Sequence, residues 1–373
     1  MGDRVDTRKF FHELRVEQVF GKRYVFCGHC GTRSPRSIVP HLKERHLQEW
    51  SAAVQDWLDQ ANSGMPFRRI MREYTAQERE YILSWVVIKR EVKALAERAG
   101  PSLRALPRAE PSTWRPKDDS RLDTTIWDFP TRGNWAVHSS GYEGNWSPYV
   151  PREIIRQYSR KGDVVLDPFV GSGTTLIECV LLGRRGIGVD VSRHAINWTR
   201  QRLNELKEFG RKTIDTPLAE SKPDSIETRL GDARDLSFLT SNSIDLICSH
   251  PPYGAAIQYT TGEARDMSRF KKTNDFLEAM AQVAREFRRV LKEKGYCAIL
   301  MGDQRRHGKL IPLGFLVFQI FVDVARLTPI EIIIKLQHHD SSTQFYHGKR
   351  GSLPYRIAHE YLFIFRKEAN ETN

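Results

Sequence analysis

Val164-Val165-Leu166-Asp167-Pro168-Phe169-Val170-Gly171-Ser172-Gly173-Thr174-Thr175 is the stretch on which the reading turns. A short apolar strand ends in Asp-Pro, passes through a turn with two glycines and feeds directly into a helical pattern from Thr174 to Leu182. Glycine in such a turn lets backbone approach a ligand closely, and the first amides of the following helix can meet a carboxylate or phosphate. Alone the turn is a weak signal, because many strand-to-helix turns need glycine only for a left-handed conformation. The next strand-like run, Gly186 to Val189, ends at Asp190, about where nucleotide-binding folds set an acidic residue against a ribose. No Gly-x-x-x-x-Gly-Lys-Ser/Thr occurs, so the turn is not a P-loop.

Working outward, helical runs (Thr174 to Leu182, Ala195 to Lys207, Asn274 to Lys294) alternate with strand-like runs (Asp163 to Leu166, Gly186 to Val189, Ile244 to Cys248, Cys297 to Met301). That alternation predicts an α/β class and a doubly wound sheet of parallel strands. Phe276, Met280, Val283, Phe287, Val290 and Leu291 form one stripe, read as core packing. Ile332 to Leu336 and Tyr361 to Phe365 read as two further strands, an antiparallel hairpin at one edge of the sheet. Two more strand ends carry chemistry. In Gly231-Asp232-Ala233-Arg234-Asp235, Asp232 is placed either to accept from an adenine amino group or to cap a helix. Ser249-His250-Pro251-Pro252-Tyr253 follows Ile244 to Cys248: paired prolines make a rigid turn without N–H donors, presenting carbonyls, the preceding side chain and an aromatic ring suited to a flat base. The plain alternative is a strand-terminating turn.

The chain has 373 residues, 40% hydrophobic and 10% aromatic, a composition that excludes disordered and membrane-spanning classes. Its 58 Lys and Arg against 46 Asp and Glu leave a formal charge of +12, which favours a polyanionic partner such as nucleic acid, or else marks a basic enzyme with a solvated surface. Five cysteines, an odd count, argue for a reducing compartment with metal-bound or buried thiols. The N-terminus lacks the apolar core of a signal peptide, and the expected location is cytoplasmic, with no membrane partner. Prolines 101, 107, 111 and 116 punctuate a polar stretch after a helical pattern from Thr75 to Ala99. The organisation read from this is a small module over 1–60, a helix and Pro-rich linker over 61–120, and the main domain over 121–373.

Within the first module, Cys27-Gly-His-Cys30 followed by His41-Leu-Lys-Glu-Arg-His46 has the spacing of a Cys₂His₂ zinc site, with both histidines on one helix face. Zinc at Cys27, Cys30, His41 and His46 would crosslink a segment too small to hold a core; accidental spacing is the alternative. Arg23, Arg33, Arg36, Lys43 and Arg45 surround it, a set suited to phosphate contacts or a solvated face.

Asp167-Pro168-Phe169-x-Gly-Ser-Gly-Thr-Thr together with Ser249-His250-Pro251-Pro252-Tyr253 resembles the S-adenosylmethionine-dependent amino-methyltransferases of DNA, and the segments around Trp127 to Trp135 and Gly144 to Arg152 resemble their flanking cofactor segment. The resemblance spans about Thr124 to Lys367 and implies a Rossmann-like S-adenosylmethionine-dependent methyltransferase sheet, preceded by the small zinc-finger/helical module. It implies further that Asp167, Pro168, Phe169, Gly171, Ser172, Gly173 and Thr174 hold the methionine portion of the cofactor, Asp190 the ribose and Asp232 the adenine, with Trp135 and Trp146 nearby. His250 stands where the family has Asp, Asn or Ser, a departure that bears on which base is modified. The side chain of His250, or failing that Ser249, and the Pro251 carbonyl would accept hydrogen bonds from the target amine, and Tyr253 would stack on a base flipped out of the duplex. Cys248, inside an apolar strand, reads as a core thiol and not as a nucleophile. Gln258, Tyr259, Asp266, Ser268, Gly302-Asp303, Gln337-His338 and His359-Glu360 sit where loops or a pocket wall would lie, without a catalytic assignment. The implied activity is methylation of an exocyclic amino group in double-stranded DNA, cytosine N4 first, in a prokaryotic modification or restriction-modification system, a cognate restriction endonuclease being the partner in the latter case; adenine N6, an RNA base, or an inactive DNA-binding regulator are the alternatives.

Overall fold

The computed structural model describes residues 14–19, 22–27, 30, 33–34 and 45 of the N-terminal unit, and 113–116, 118–138, 142, 144–212, 225–254, 263–306, 309–338, 355 and 357–369 beyond it. The chain divides into two compact units, Met1–Ala109 and Glu110–Asn373. In the first, β1 (Leu14–Val19) and β2 (Lys22–Cys27) pair antiparallel, and β3 (Arg33–Ser34) pairs with β2. Cys27 closes β2 and Cys30 lies, exposed, in a turn before β3. The expected zinc ligands His41 and His46, and the helix from Thr75, lie outside the described residues.

The second unit is a mixed eight-stranded sheet in the order β4-β12-β13-β9-β8-β5-β6-β7. Its strands are β4 (Ile126–Trp127), β5 (Val164–Asp167), β6 (Arg185–Asp190), β7 (Ile226–Leu230), β8 (Ile244–Ser249), β9 (Leu291–Met301), β12 (Thr328–Leu336) and β13 (His359–Arg366). A separate hairpin, β10 (Gln304–Arg306) with β11 (Lys309–Ile311), stands apart from it. The helices are α1 (Tyr149–Tyr158), α2 (Thr174–Leu181), α3 (Arg193–Lys212), α4 (Thr273–Val290) and α5 (Leu313–Asp323). Among the described residues no helix is long and apolar enough to cross a membrane.

From β7 through β6, β5 and β8 to β9 every pairing is parallel, as the alternation of helices and strands predicts. Side chains alternate across these strands, so the sheet has two buried faces. Leu166, Ile247, Ile299 and Phe363 meet the stripe of α4 and α5, while Val165, Leu246, Ala298 and Ile364 meet Val150, Ile154 and Ile155 of α1. The α4 stripe of Phe276, Met280, Val283, Phe287 and Val290 is wholly buried. The helix ends at Val290, short of the expected Lys294: Leu291 already turns extended, and Lys294 with φ 63° bends the chain before Gly295.

The expected terminal hairpin forms, β12 against β13, yet β13 is not at the edge. It lies between β12 and β9, antiparallel to both. Leu362-Phe363-Ile364-Phe365 are all fully buried, and such an unbroken apolar run requires cover on both faces, whereas β12 leaves Ile330 and Ile332 exposed. The chain runs outward from β5 to β6 and β7, then returns to β8 on the other side of β5. The carboxyl ends of β5 and β8 therefore flank a topological switch point, where open α/β sheets bind ligands.

Candidate active site

A cleft opens at these strand ends, lined by the turn after β5, the ends of β6 and β7, Trp146 upstream and His250 after β8. The turn is built so that only glycine fits. Gly173, with φ 80°, precedes α2, and a Cβ there would stand 2.7 Å from Thr199 Cγ2. Thr199 Oγ1 in turn donates to the Gly171 carbonyl at 2.9 Å. Arg202 of α3, buried, donates to the Ser172 carbonyl at 2.6 Å and to the Val137 carbonyl at 3.1 Å, tying the turn to the upstream segment.

Two buried carboxylates flank the turn. Asp167 accepts from Thr175 Oγ1 at 2.5 Å and from the Phe169 amide at 3.1 Å. Burial pushes its carboxyl up to about 7, against the hydrogen bonds that oppose the rise. Asp190 accepts from the Gly171 amide at 3.0 Å through one oxygen and from the Ser192 amide at 2.8 Å through the other, and burial raises it to about 6. Each Asp190 oxygen thus retains a lone pair. Thr174 Oγ1, on the cleft wall, is buried without a hydrogen-bond partner among the described residues. Asp232 caps no helix; its carboxylate is held by the Arg234 guanidinium, the shortest contact being 2.6 Å, and it still lines the cleft.

At the end of β8 the His250 ring stacks on Trp146, centroids 5.4 Å apart at 20°. Its Nε2 lies 2.9 Å from the Tyr253 hydroxyl, which donates to Glu360 Oε1 at 2.7 Å. Lys335 Nζ donates to the other oxygen, Oε2, at 2.7 Å. Burial would raise the Glu360 carboxyl, but the Lys335 charge and the hydrogen bonds outweigh it and hold the group below its ordinary value. Burial pushes His250 down to about 4, so the imidazole is neutral near pH 7. Gln304 of β10 donates to the Tyr253 carbonyl, bracing the turn from the other side.

Of the residues expected at the cofactor, Asp167, Pro168, Phe169, Gly171, Ser172, Thr174, Asp190, Asp232 and Trp146 line the cleft; Gly173 sits just behind it. Trp135 does not. It is 2% exposed, its indole donates to Glu178 Oε1 at 2.8 Å, and it packs in the core beside His138 and Tyr149, away from the cleft lining where it was expected. Ser249, fully buried with Oγ unpartnered among the described residues, does not reach the cleft, whereas His250 and Pro252 do. Cys248 is a fully buried core thiol. Asp266, in the polar loop after the β8 turn, is buried on the cleft wall, where it accepts from the Ser268 amide. Asn145, within the segment that resembles the family's flanking cofactor segment, and Tyr142, which carries no signal in the sequence, also line the cleft. Among the described residues no group of three metal-ligating side chains comes together.

Residues 17–201 match a family described as DNA methylase (N6/N4 type), and 157–311 match an RMKL-like methyltransferase domain. The first match contains the turn after β5, the second both that turn and the one after β8. Among curated proteins, the chain is 32% identical over 83 residues to the Type II methyltransferase M.MjaII of Methanocaldococcus jannaschii (21% of this chain, 16% of that one). It is 32% identical over 139 residues to the tRNA (guanine(10)-N2)-dimethyltransferase of Methanothermobacter thermautotrophicus (37% and 35%). It is 50% identical over 51 residues to the Type II methyltransferase M.HpaI of Haemophilus parainfluenzae (14% and 16%). The matched segment thus spans well under half of each of these relatives. Among solved structures, geranyl diphosphate C-methyltransferase from Streptomyces coelicolor aligns with 59% of this chain and 78% of its own, at 14% identity and a TM-score of 0.38. The strand order and the two strand-end turns make the second unit an open α/β sheet with a ligand cleft at its switch point, and the chain is similar in sequence to DNA methylases and to RMKL-like methyltransferase domains.

Proposed function

We propose that this chain transfers a methyl group from S-adenosylmethionine to an exocyclic amino group of a base in DNA, cytosine N4 being the favoured target because the turn after Ser249 is most similar to that group. The observation that carries the reading is the juxtaposition, at one switch point, of a cleft with two buried carboxylates and a rigid Pro-Pro turn headed by a neutral imidazole. The residues fit the cofactor. Asp190 keeps lone pairs for vicinal hydroxyls, and the unpartnered Thr174 hydroxyl and the Asp167 carboxyl, both on the cleft wall, suit an amino acid portion. When bound there, the cofactor supplies an electrophilic methyl.

The rest is done by this chain's own groups. An exocyclic amine is a poor nucleophile because its lone pair is delocalised into the ring, so a site must orient that lone pair and draw on the N–H bonds. His250 and the Pro251 carbonyl accept those hydrogens, and the half-buried ring of Tyr253 flanks the flipped base. Zinc held by Cys27, Cys30, His41 and His46 would stiffen the N-terminal unit, whose basic residues would contact phosphates. A second reading, amino-methylation of an RNA base, is favoured by one observation: the match to the tRNA dimethyltransferase is the longest of the three alignments given above.

The test is to incubate the protein with methyl-labelled S-adenosylmethionine and either mixed duplex DNA or structured RNA, digest, and identify the modified nucleoside by mass. N4-methylcytosine is the expected product; N6-methyladenine would overturn the base assignment, label in RNA alone would establish the second reading, and label in neither would sink both.

A further inference from the structure

We propose that Glu360, paired with Lys335, is a positioning residue that sets the tautomer of His250, so that Nδ1 is a bare acceptor for the target amine. The inference rests on the proposed amino-methylation and adds to it the groups that make histidine serviceable in that turn.

The argument is a count of protons. A tyrosine hydroxyl has one proton to give, and an ionised carboxylate can only accept. Glu360, 5% exposed and ion-paired with Lys335, is such a carboxylate, and it takes the Tyr253 proton at 2.7 Å. The 2.9 Å contact between Tyr253 and His250 must then carry its hydrogen on Nε2, donated to the tyrosine oxygen. A neutral imidazole has one N–H, so Nδ1 holds a lone pair. Histidine in the other tautomer would present a donor at Nδ1 and repel an amine hydrogen. Asp, Asn and Ser, the residues that the resembling family carries at this place, all offer an acceptor oxygen, and the relay gives His250 the same property. Stacking on Trp146 holds the ring in its plane. Lys335 and Glu360 are directly opposite in the β12–β13 register, so the relay is anchored in the sheet and not in a loop.

Glu360→Gln makes a sharp prediction. Lys335 can only donate, so it draws the new amide oxygen to itself and turns the NH₂ toward Tyr253. Tyr253 then accepts from the amide and sends its own proton to His250 Nε2, leaving the hydrogen on Nδ1. ¹⁵N NMR of the full chain, with the His250 signal identified by its loss in His250→Asn, should read Nε2–H in the wild type and Nδ1–H in Glu360→Gln. The kcat should fall by about 100-fold or more, in the range of a lost acid–base contact, with cofactor affinity unchanged. Adding Lys335→Met frees the amide to rotate, and the double variant should regain the Nε2–H tautomer and most of the rate. An unchanged tautomer in Glu360→Gln, a flipped tautomer at full rate, no rescue in the double variant, or loss of cofactor binding would each overturn the proposal. A wild-type protein that methylates no nucleic acid would fail the proposed function instead, and the NMR arm would still decide the tautomer.

Discussion

Asp167 and Asp190 keep protons in the folded chain that an unfolded chain releases near the ordinary carboxylate value of 3.8, since burial holds them near 7 and 6. Their contribution to stability is therefore fully present below about pH 4 and is lost as pH rises through 6 to 7. A ligand ammonium beside Asp167 reverses the preference by favouring the ionised carboxylate. S-Adenosylmethionine affinity should accordingly rise with pH between about 5 and 7 and then level, with proton release on binding. Calorimetry in buffers of different ionisation enthalpy reads both quantities, and a pH-independent affinity without proton release would remove Asp167 from the cofactor's amino group. At Gly173 the constraint is steric: Gly173→Ala meets Thr199 at 2.7 Å with φ at 80°, and should cost about 1–3 kcal/mol in denaturant unfolding. An alanine variant as stable as the wild type would show that the turn relaxes without penalty.

Elements decide what sequence could reveal. The Asp167–Thr175 and Ser249–Tyr253 turns are legible because each is contiguous and sits at the end of a short apolar strand, where an α/β sheet concentrates its chemistry. Glu360 and Lys335 are not legible as partners, for they meet Tyr253 only through the pairing of β12 with β13, and strand register leaves no local trace in a charged residue at a strand end. The same limit hid the place of β13: two strands near each other in sequence predict a hairpin, while only the fully apolar face-to-face run of Leu362 to Phe365 hints that it belongs inside. Trp135 shows the same limit: its place beside a motif says nothing of its partner, the buried Glu178, which also takes Arg152 at 2.8 Å. Helix α3 acts on the site through Arg202, so Arg202→Met, which removes the donors to Ser172 and Val137, should destabilise by about 1–3 kcal/mol and weaken cofactor binding while leaving the His250 tautomer intact. Unaltered cofactor affinity in that variant would show the turn to be self-supporting.

At the scale of the whole molecule, a formal charge of +12 should make nucleic-acid binding strongly salt-dependent. Fluorescence anisotropy with labelled duplex should give a log–log slope against salt of several units, from several phosphate contacts. A slope near zero would assign the basic residues to solvent. The interior position of β13 has a further consequence, in the time order of synthesis. Until β13 is made and paired, the edge of β9 that it covers is unpaired and Tyr253 lacks Glu360. Residues 359–366 must then insert between two strands made earlier, a long-range closure of the kind that slows folding. Tyr253, on the turn after β8, therefore gains its Glu360 partner only when β13 pairs with β9 and β12, so the contact behind that turn depends on this long-range closure.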